Sequence, residues 1–173
     1  MTNTEPETVA GRAWKATNDE MKAIATERRA EDWNVATMPA VHTSPVSRDT
    51  GDDPDRYGLV HIIPGNYVEE FERAYNRGSF PEYLAYRNQI EYAVFLLTEF
   101  IDPESETIIL IASHYDARKA VGMVNTVTNT GDIQSIAKTI DGTELGRFHH
   151  ETPEPLLPET MAIDETAGTD TSV

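Results

Sequence analysis

Five histidines are the side chains of this chain best suited to move a proton or hold a metal: His42, His61, His114, His149 and His150. His61 lies within LVHII and His114 ends TIILIASH. Both segments read as strands. Neighbouring strands would bring the two imidazoles together, and Glu99, from VFLLTEFI, would add a carboxylate. Two imidazoles and a carboxylate can hold a divalent ion. No H-x-x-x-H or H-E-x-x-H spacing supports such a site. The expectation is therefore no metal, with each imidazole packing or capping alone. His149, His150 and Glu151 form a second cluster. Adjacent strand residues point to opposite faces, so these two imidazoles cannot chelate one ion from a regular strand.

Glu99 carries a different possibility. Along a strand Thr98 and Glu99 face opposite sides, and one of them shares a face with large apolar residues. A desolvated carboxylate has a raised pKa, as a general acid requires. The plainer alternative is an edge position, or pairing with Arg87, Arg118 or Arg147. His61, Glu99 and His114 are the candidate ligand-binding residues, and no catalytic residue can be named. There is no G-x-S-x-G elbow and no Gly-rich phosphate loop. Gly65-Asn66 at a strand-to-helix junction offers one helix N-terminus to an anion, and most such junctions hold none.

The elements that would position these groups follow from periodicity. Residues 8–31 read as a helix, with Trp14, Met21, Ile24 and Ala25 on one stripe. Trp33, Val35 and Thr37 alternate as a short strand. Residues 43–56 hold two Pro, one Gly and four Asp, and read as a turn-rich loop. Residues 59–63 form a strand. Asn66 and Glu69 stand in capping-box register before a helical stripe of Val68, Phe71, Ala74 and Tyr75. Residues 82–101 are ambiguous: Tyr83, Leu84, Tyr86 and Ile90 fit a helix, and the run from Tyr92 fits a helix or a buried strand, with length and context favouring the strand. Asp102-Pro103-Glu104-Ser105 turns that strand into the run 107–112, making a hairpin. Asp116 reads as an N-cap, Gly131 as a helix stop, and Asp141-Gly142 as a hairpin turn. The order strand, helix, strand, strand, helix, strand is that of a ferredoxin-like core. The expected class is α+β: a β-α-β-β-α-β core with an added N-terminal helix and extra edge strands. The domain would span 8–151, between a disordered N-terminus at 1–7 and a disordered acidic tail at 152–173.

Composition bounds the function. Thirty Asp and Glu stand against 14 Lys and Arg, a net charge of -16 on 173 residues. Ten of the bases are Arg, and the four Lys are Lys15, Lys22, Lys119 and Lys138. Dispersed acid with scarce Lys suits concentrated salt, where the Debye length falls to about 3 Å and self-repulsion is screened. Nucleic acid is not an expected partner, since its binding is driven by cations. Arg28-Arg29 pairs basic residues, but among Glu27, Glu31 and Asp32. Without Cys there are no disulfides or thiolate sites. No signal peptide is expected at the N-terminus, and no apolar run reaches the ~20 residues of a membrane span. The expected setting is cytoplasmic.

The segments RYGLVHIIPGNYVEEF, FLLTEFIDPESETIILIASHYD and TIDGTELGRFHHETPEPLLP resemble a family of small haloarchaeal proteins of unknown function, over most of residues 8–158. The resemblance implies no activity, so no residue inherits a role and any cofactor is unknown. Two readings stand. One is a non-enzymatic ligand-binding or protein-interaction module of a halophilic cytoplasm, with a homodimer expected because residues 107–112 are apolar on both faces. The other is a small enzyme, metal-dependent or not, using His61, His114 and Glu99. Convergence of those three side chains in one pocket would favour the enzyme.

Overall fold

The computed structural model describes residues 8–49 and 53–159; the disordered ends expected at 1–7 and 160–173 lie outside the described residues. Helix α1 spans Val9–Ala30. Thr8 caps it, its hydroxyl accepting from the Gly11 N–H at 2.8 Å. The stripe read from the sequence buries Met21, Ile24 and Ala25. The chain continues through β1 (Asn34–Pro39), β2 (His42–Val46), β3 (Gly58–Ile62), α2 (Val68–Tyr75), β4 (Glu82–Ile90), β5 (Ala93–Asp102) and β6 (Thr107–Asp116). It ends with α3 (Val121–Thr130), β7 (Ile133–Lys138) and β8 (Glu144–His150).

The class is α+β, but the strands do not share one ferredoxin-like sheet. They form two four-stranded sheets, ordered β1-β6-β5-β4 and β2-β3-β7-β8. β5 and β6 are the expected hairpin, and β3 and β7 are parallel neighbours. These two pairs lie in different sheets. β4, ambiguous in the sequence, pairs with β5 from Glu82 to Ile90, and β1 runs parallel to β6. β2, read as part of a loop, pairs antiparallel with β3. It lies at a sheet edge, where Pro45 costs no ladder bond. Gly58 is obligatory where β3 meets β7: its φ is +131°, and a Cβ there would lie 2.1 Å from the Gln134 carbonyl oxygen.

Three apolar clusters hold the layers together. Two lie between the sheets. At one end α2 inserts Phe71 and Ala74 among Met38, Phe100, Ile109 and Ile111 of the first sheet and Ile63, Ala137 and Phe148 of the second. At the other end Met123 and Val127 of α3 meet Leu96 and Tyr115 across from Leu59 and Ile133. The third cluster packs Met21, Ile24 and Ala25 of α1 on Leu97, Ile108, Leu110 and Ala112. Both faces of β6 are thus covered within one chain, and α1 occupies the face from which a homodimer was expected.

Two local expectations change. A single 3-10 turn, Gly65–Tyr67, precedes α2, so the helix starts after Tyr67 and Asn66 caps nothing. Residues 152–159, expected to open the disordered tail, are tied to the body. Leu156 is fully buried, its carbonyl accepts from the Tyr115 hydroxyl at 2.7 Å, and Arg87 donates to the carbonyls of Glu154 and Leu157.

Candidate functional site

The three residues singled out for chemistry do not meet. His61 points between the sheets and is 1% exposed. It belongs to a polar band that separates the two inner apolar clusters. On each of four strands one polar residue stands between apolar neighbours two positions away, one from each cluster. These are His61 between Leu59 and Ile63, Thr98 between Leu96 and Phe100, Ser113 between Ile111 and Tyr115, and Ser135 between Ile133 and Ala137. The Thr43 hydroxyl lies 3.0 Å from His61 Nδ1, and Ser135 Oγ lies 3.1 Å from His150 Nε2. His61 Nε2 and Ser113 Oγ are buried with no hydrogen-bond partner among the described residues. Burial pushes His61 down to about 4, with a smaller contribution from His150. Burial also lowers His150 to about 4, with His149 adding to the effect. These imidazoles are neutral and enclosed.

Glu99 lies on the opposite face of β5, beneath α1, and is fully buried. Arg28 Nε donates to its Oε2 at 2.7 Å and Nη2 to its Oε1 at 3.3 Å; the Tyr86 hydroxyl donates to Oε1 at 3.3 Å. The Arg28 guanidinium is held protonated well beyond its ordinary range, first by that hydrogen bond. This fork fastens α1 to the sheet and commits both carboxylate oxygens. The partner is Arg28, not Arg87, Arg118 or Arg147. His114 shares that face, but Glu99 is paired with Leu110, four residues away along β6, about 13 Å at strand rise. Trp14 stands edge-on to the His114 ring at 4.8 Å. Burial and then His42 lower the pKa of His114. Among the described residues no three His, Asp or Glu are placed to hold a metal ion.

His149 and His150 point to opposite faces, as expected of adjacent strand residues. His149 Nε2 lies 2.5 Å from Asp132 Oδ2, and the Tyr57 hydroxyl donates to Asp132 Oδ1 at 2.5 Å. Burial works against the Asp132 charge, but the hydrogen bonds from Tyr57 and His149 outweigh it and hold the carboxyl below the usual range.

A cleft that gathers several arginines lies elsewhere. It is an open cleft of about 340 Å³ between the C-terminal end of α1, the free edge of β1 and the C-terminal end of α2. Arg29, Trp33, Asn34, Glu70, Arg73 and Arg77 line it. Arg29 Nη2 donates to the Val35 carbonyl at 2.9 Å, and Arg77 Nε donates to Thr107 Oγ1 at 3.1 Å. Both guanidinium groups are therefore oriented by neutral oxygens. Among the described residues no carboxylate lies within 4.0 Å of Arg29, Arg73 or Arg77. By contrast Arg28, Arg56, Arg87, Arg118 and Arg147 each pair with an acid. The single acid of the cleft, Glu70, turns its Oε2 to the Thr37 N–H at 3.1 Å.

Bases at a helix C-terminus offset its partial negative charge, which is an ordinary reason for their presence. Two helices end here, contributing about half a negative charge each. With Glu70 that balances two of the three guanidinium groups and leaves a surplus of about one positive charge. The sequence held only fragments of this site. Arg28-Arg29 was visible as a basic doublet, and Arg73 and Arg77 stand one turn apart. Their convergence depends on how α1 and α2 cross the edge of β1, which no local pattern encodes.

Fold and cleft together define a two-sheet α+β protein with a cationic site on an acidic body. The chain belongs to a family of unknown function, DUF7529, whose model matches residues 2–158. No curated protein and no solved structure matches the chain.

Proposed function

We propose that this protein is a non-enzymatic binding module for a small anion, working in a halophilic, haloarchaeal cytoplasm. One observation carries the reading: three arginines that have no acidic partner among the described residues line one cleft of a chain whose acids outnumber its bases by 30 to 14. Guanidinium forks match carboxylate and phosphate oxygens bidentately. The forks of Arg29 and Arg77 are already oriented, which lowers the ordering cost of binding. The separation of His61, Glu99 and His114 supports a module over an enzyme built on those residues. Among the described residues no helix is long and apolar enough to cross a membrane. A charge of -16 repels an extended polyanion, so the ligand is small and nucleic acid is not a partner. A two-fold dimer, if formed, would use β4, a sheet edge where Leu84 and Tyr86 are exposed.

Trp33 in the cleft wall supplies the assay. In a Trp14→Phe background, phosphate added in molar KCl should shift Trp33 emission saturably. Arg73→Glu with Arg77→Glu should abolish the response while leaving circular dichroism unchanged. A response absent from the parent, or equal in the charge-reversed variant, overturns the reading.

A further inference from the structure

We infer that the anion held in this cleft is a phosphomonoester of a small hydroxylated compound, the chemistry of a sugar phosphate; this rests on the anion-binding reading above. Three features of the wall narrow the class. The first is charge. Arg29 reaches in from the end of α1, while Arg73 and Arg77 come from the end of α2. Forks on two sides suit a group that presents three oxygens and up to two charges, as a phosphate does, better than a flat monocarboxylate.

The second feature is Glu70. A carboxylate in the wall of an anion site repels the ligand unless the ligand brings it a donor. Glu70 cannot swing away freely, because its Oε2 accepts from the Thr37 N–H at 3.1 Å. Its other oxygen accepts no hydrogen bond among the described residues. A simple dicarboxylate offers that oxygen no donor, and inorganic phosphate offers only its own P–OH, whose oxygen must turn away from the forks to reach it. A hydroxyl near the phosphate offers a charge-assisted hydrogen bond. The third feature is the remainder of the lining. Asn34 adds a side-chain amide, and Trp33 adds a half-buried indole beside which a compact carbon skeleton can lie. A volume of about 340 Å³ is at the small end for ligand pockets. It suits a monophosphate of one ring, not a dinucleotide.

Calorimetry on the intact chain in molar KCl tests this with inorganic phosphate, ribose 5-phosphate, ribose, succinate and aspartate. Ribose 5-phosphate should bind about tenfold more tightly than inorganic phosphate, the usual worth of one hydrogen bond to a charged group. Ribose alone should not bind. Glu70→Gln keeps an acceptor for Thr37 but removes the charge; it should narrow that advantage without weakening inorganic phosphate. Inorganic phosphate binding as tightly as ribose 5-phosphate, or a Glu70→Gln variant with the full preference, overturns the sugar-phosphate class and leaves anion binding standing. Succinate or aspartate binding more tightly than either phosphate also overturns it, in favour of a carboxylate ligand. No binding by any anion overturns both readings together.

Discussion

His61 and His150 make the fold sensitive to acid at the scale of single side chains. Each is lowered by burial from 6.5 to about 4. A group whose charged form is disfavoured in the fold is protonated first in the unfolded chain. The unfolded chain therefore gains protons as pH drops below 6.5, while the folded chain does not until about 4. The contribution of the two imidazoles to stability is complete above pH 6.5 and is lost through that window. The full shift corresponds to roughly 3 kcal/mol for each imidazole. The carboxylates titrate mostly below about 4.5. The upper half of the window therefore belongs to histidine. Denaturant melts at constant molar salt should lose stability steadily from pH 7 to pH 5. His61→Gln, which cannot charge, should have a shallower slope. Equal slopes in parent and variant would mean that water reaches Nε2 and that the band is not enclosed.

At the scale of elements, most of the fold was legible because the strongest patterns are buried on the face they predict. The stripe of α1, the 102–105 hairpin, the Gly131 stop and the Asp141-Gly142 turn all form where periodicity and turn chemistry place them. The failures have physical causes. β4 alternates Tyr83, Ala85 and Arg87 with Leu84, Tyr86 and Asn88, so neither parity is purely apolar; the 152–159 segment lies against one face and the other is half open. β2 contains Pro45 and no apolar run, and it is a strand only because β3 offers it an edge. The polar band was invisible for a related reason. Thr98 and Ser113 read as ordinary polar interruptions of apolar strands until four strands align them. The Arg cleft needs two helix ends and a sheet edge that lie far apart in the chain. The hairpin itself makes a sharp prediction. Ile109 is fully buried in the cluster that joins α2 to both sheets. Ile109→Ala should cost about 2–5 kcal/mol through the cavity it leaves. A loss well under about 1 kcal/mol in denaturant titration would mean that this layer collapses around the change, and that Phe100 and Met38 are loosely packed.

For the whole molecule the surplus charge has two consequences of opposite sign. A net charge of -16 destabilises the compact state in dilute buffer, and ions screen it. The Debye length shrinks from about 10 Å at 0.1 M to about 3 Å at 1 M, so screening is nearly complete by the molar range. Melting midpoints followed by circular dichroism should rise steeply over the first few tenths molar KCl and then level. A continued rise beyond that range would point to salt exclusion strengthening apolar burial. Equal midpoints in dilute buffer and molar KCl would remove self-repulsion as a determinant of this fold. The cleft runs the other way. Its surplus is positive, so the salt that stabilises the body weakens the attraction of Arg29, Arg73 and Arg77 for an anion and supplies chloride as a competitor. Phosphate affinity should therefore fall across the same KCl series in which the melting midpoint climbs. If affinity instead rose with the midpoint, binding would be limited by the folded fraction, and the forks would not be preorganised in the way that the Val35 carbonyl and the Thr107 hydroxyl arrange them.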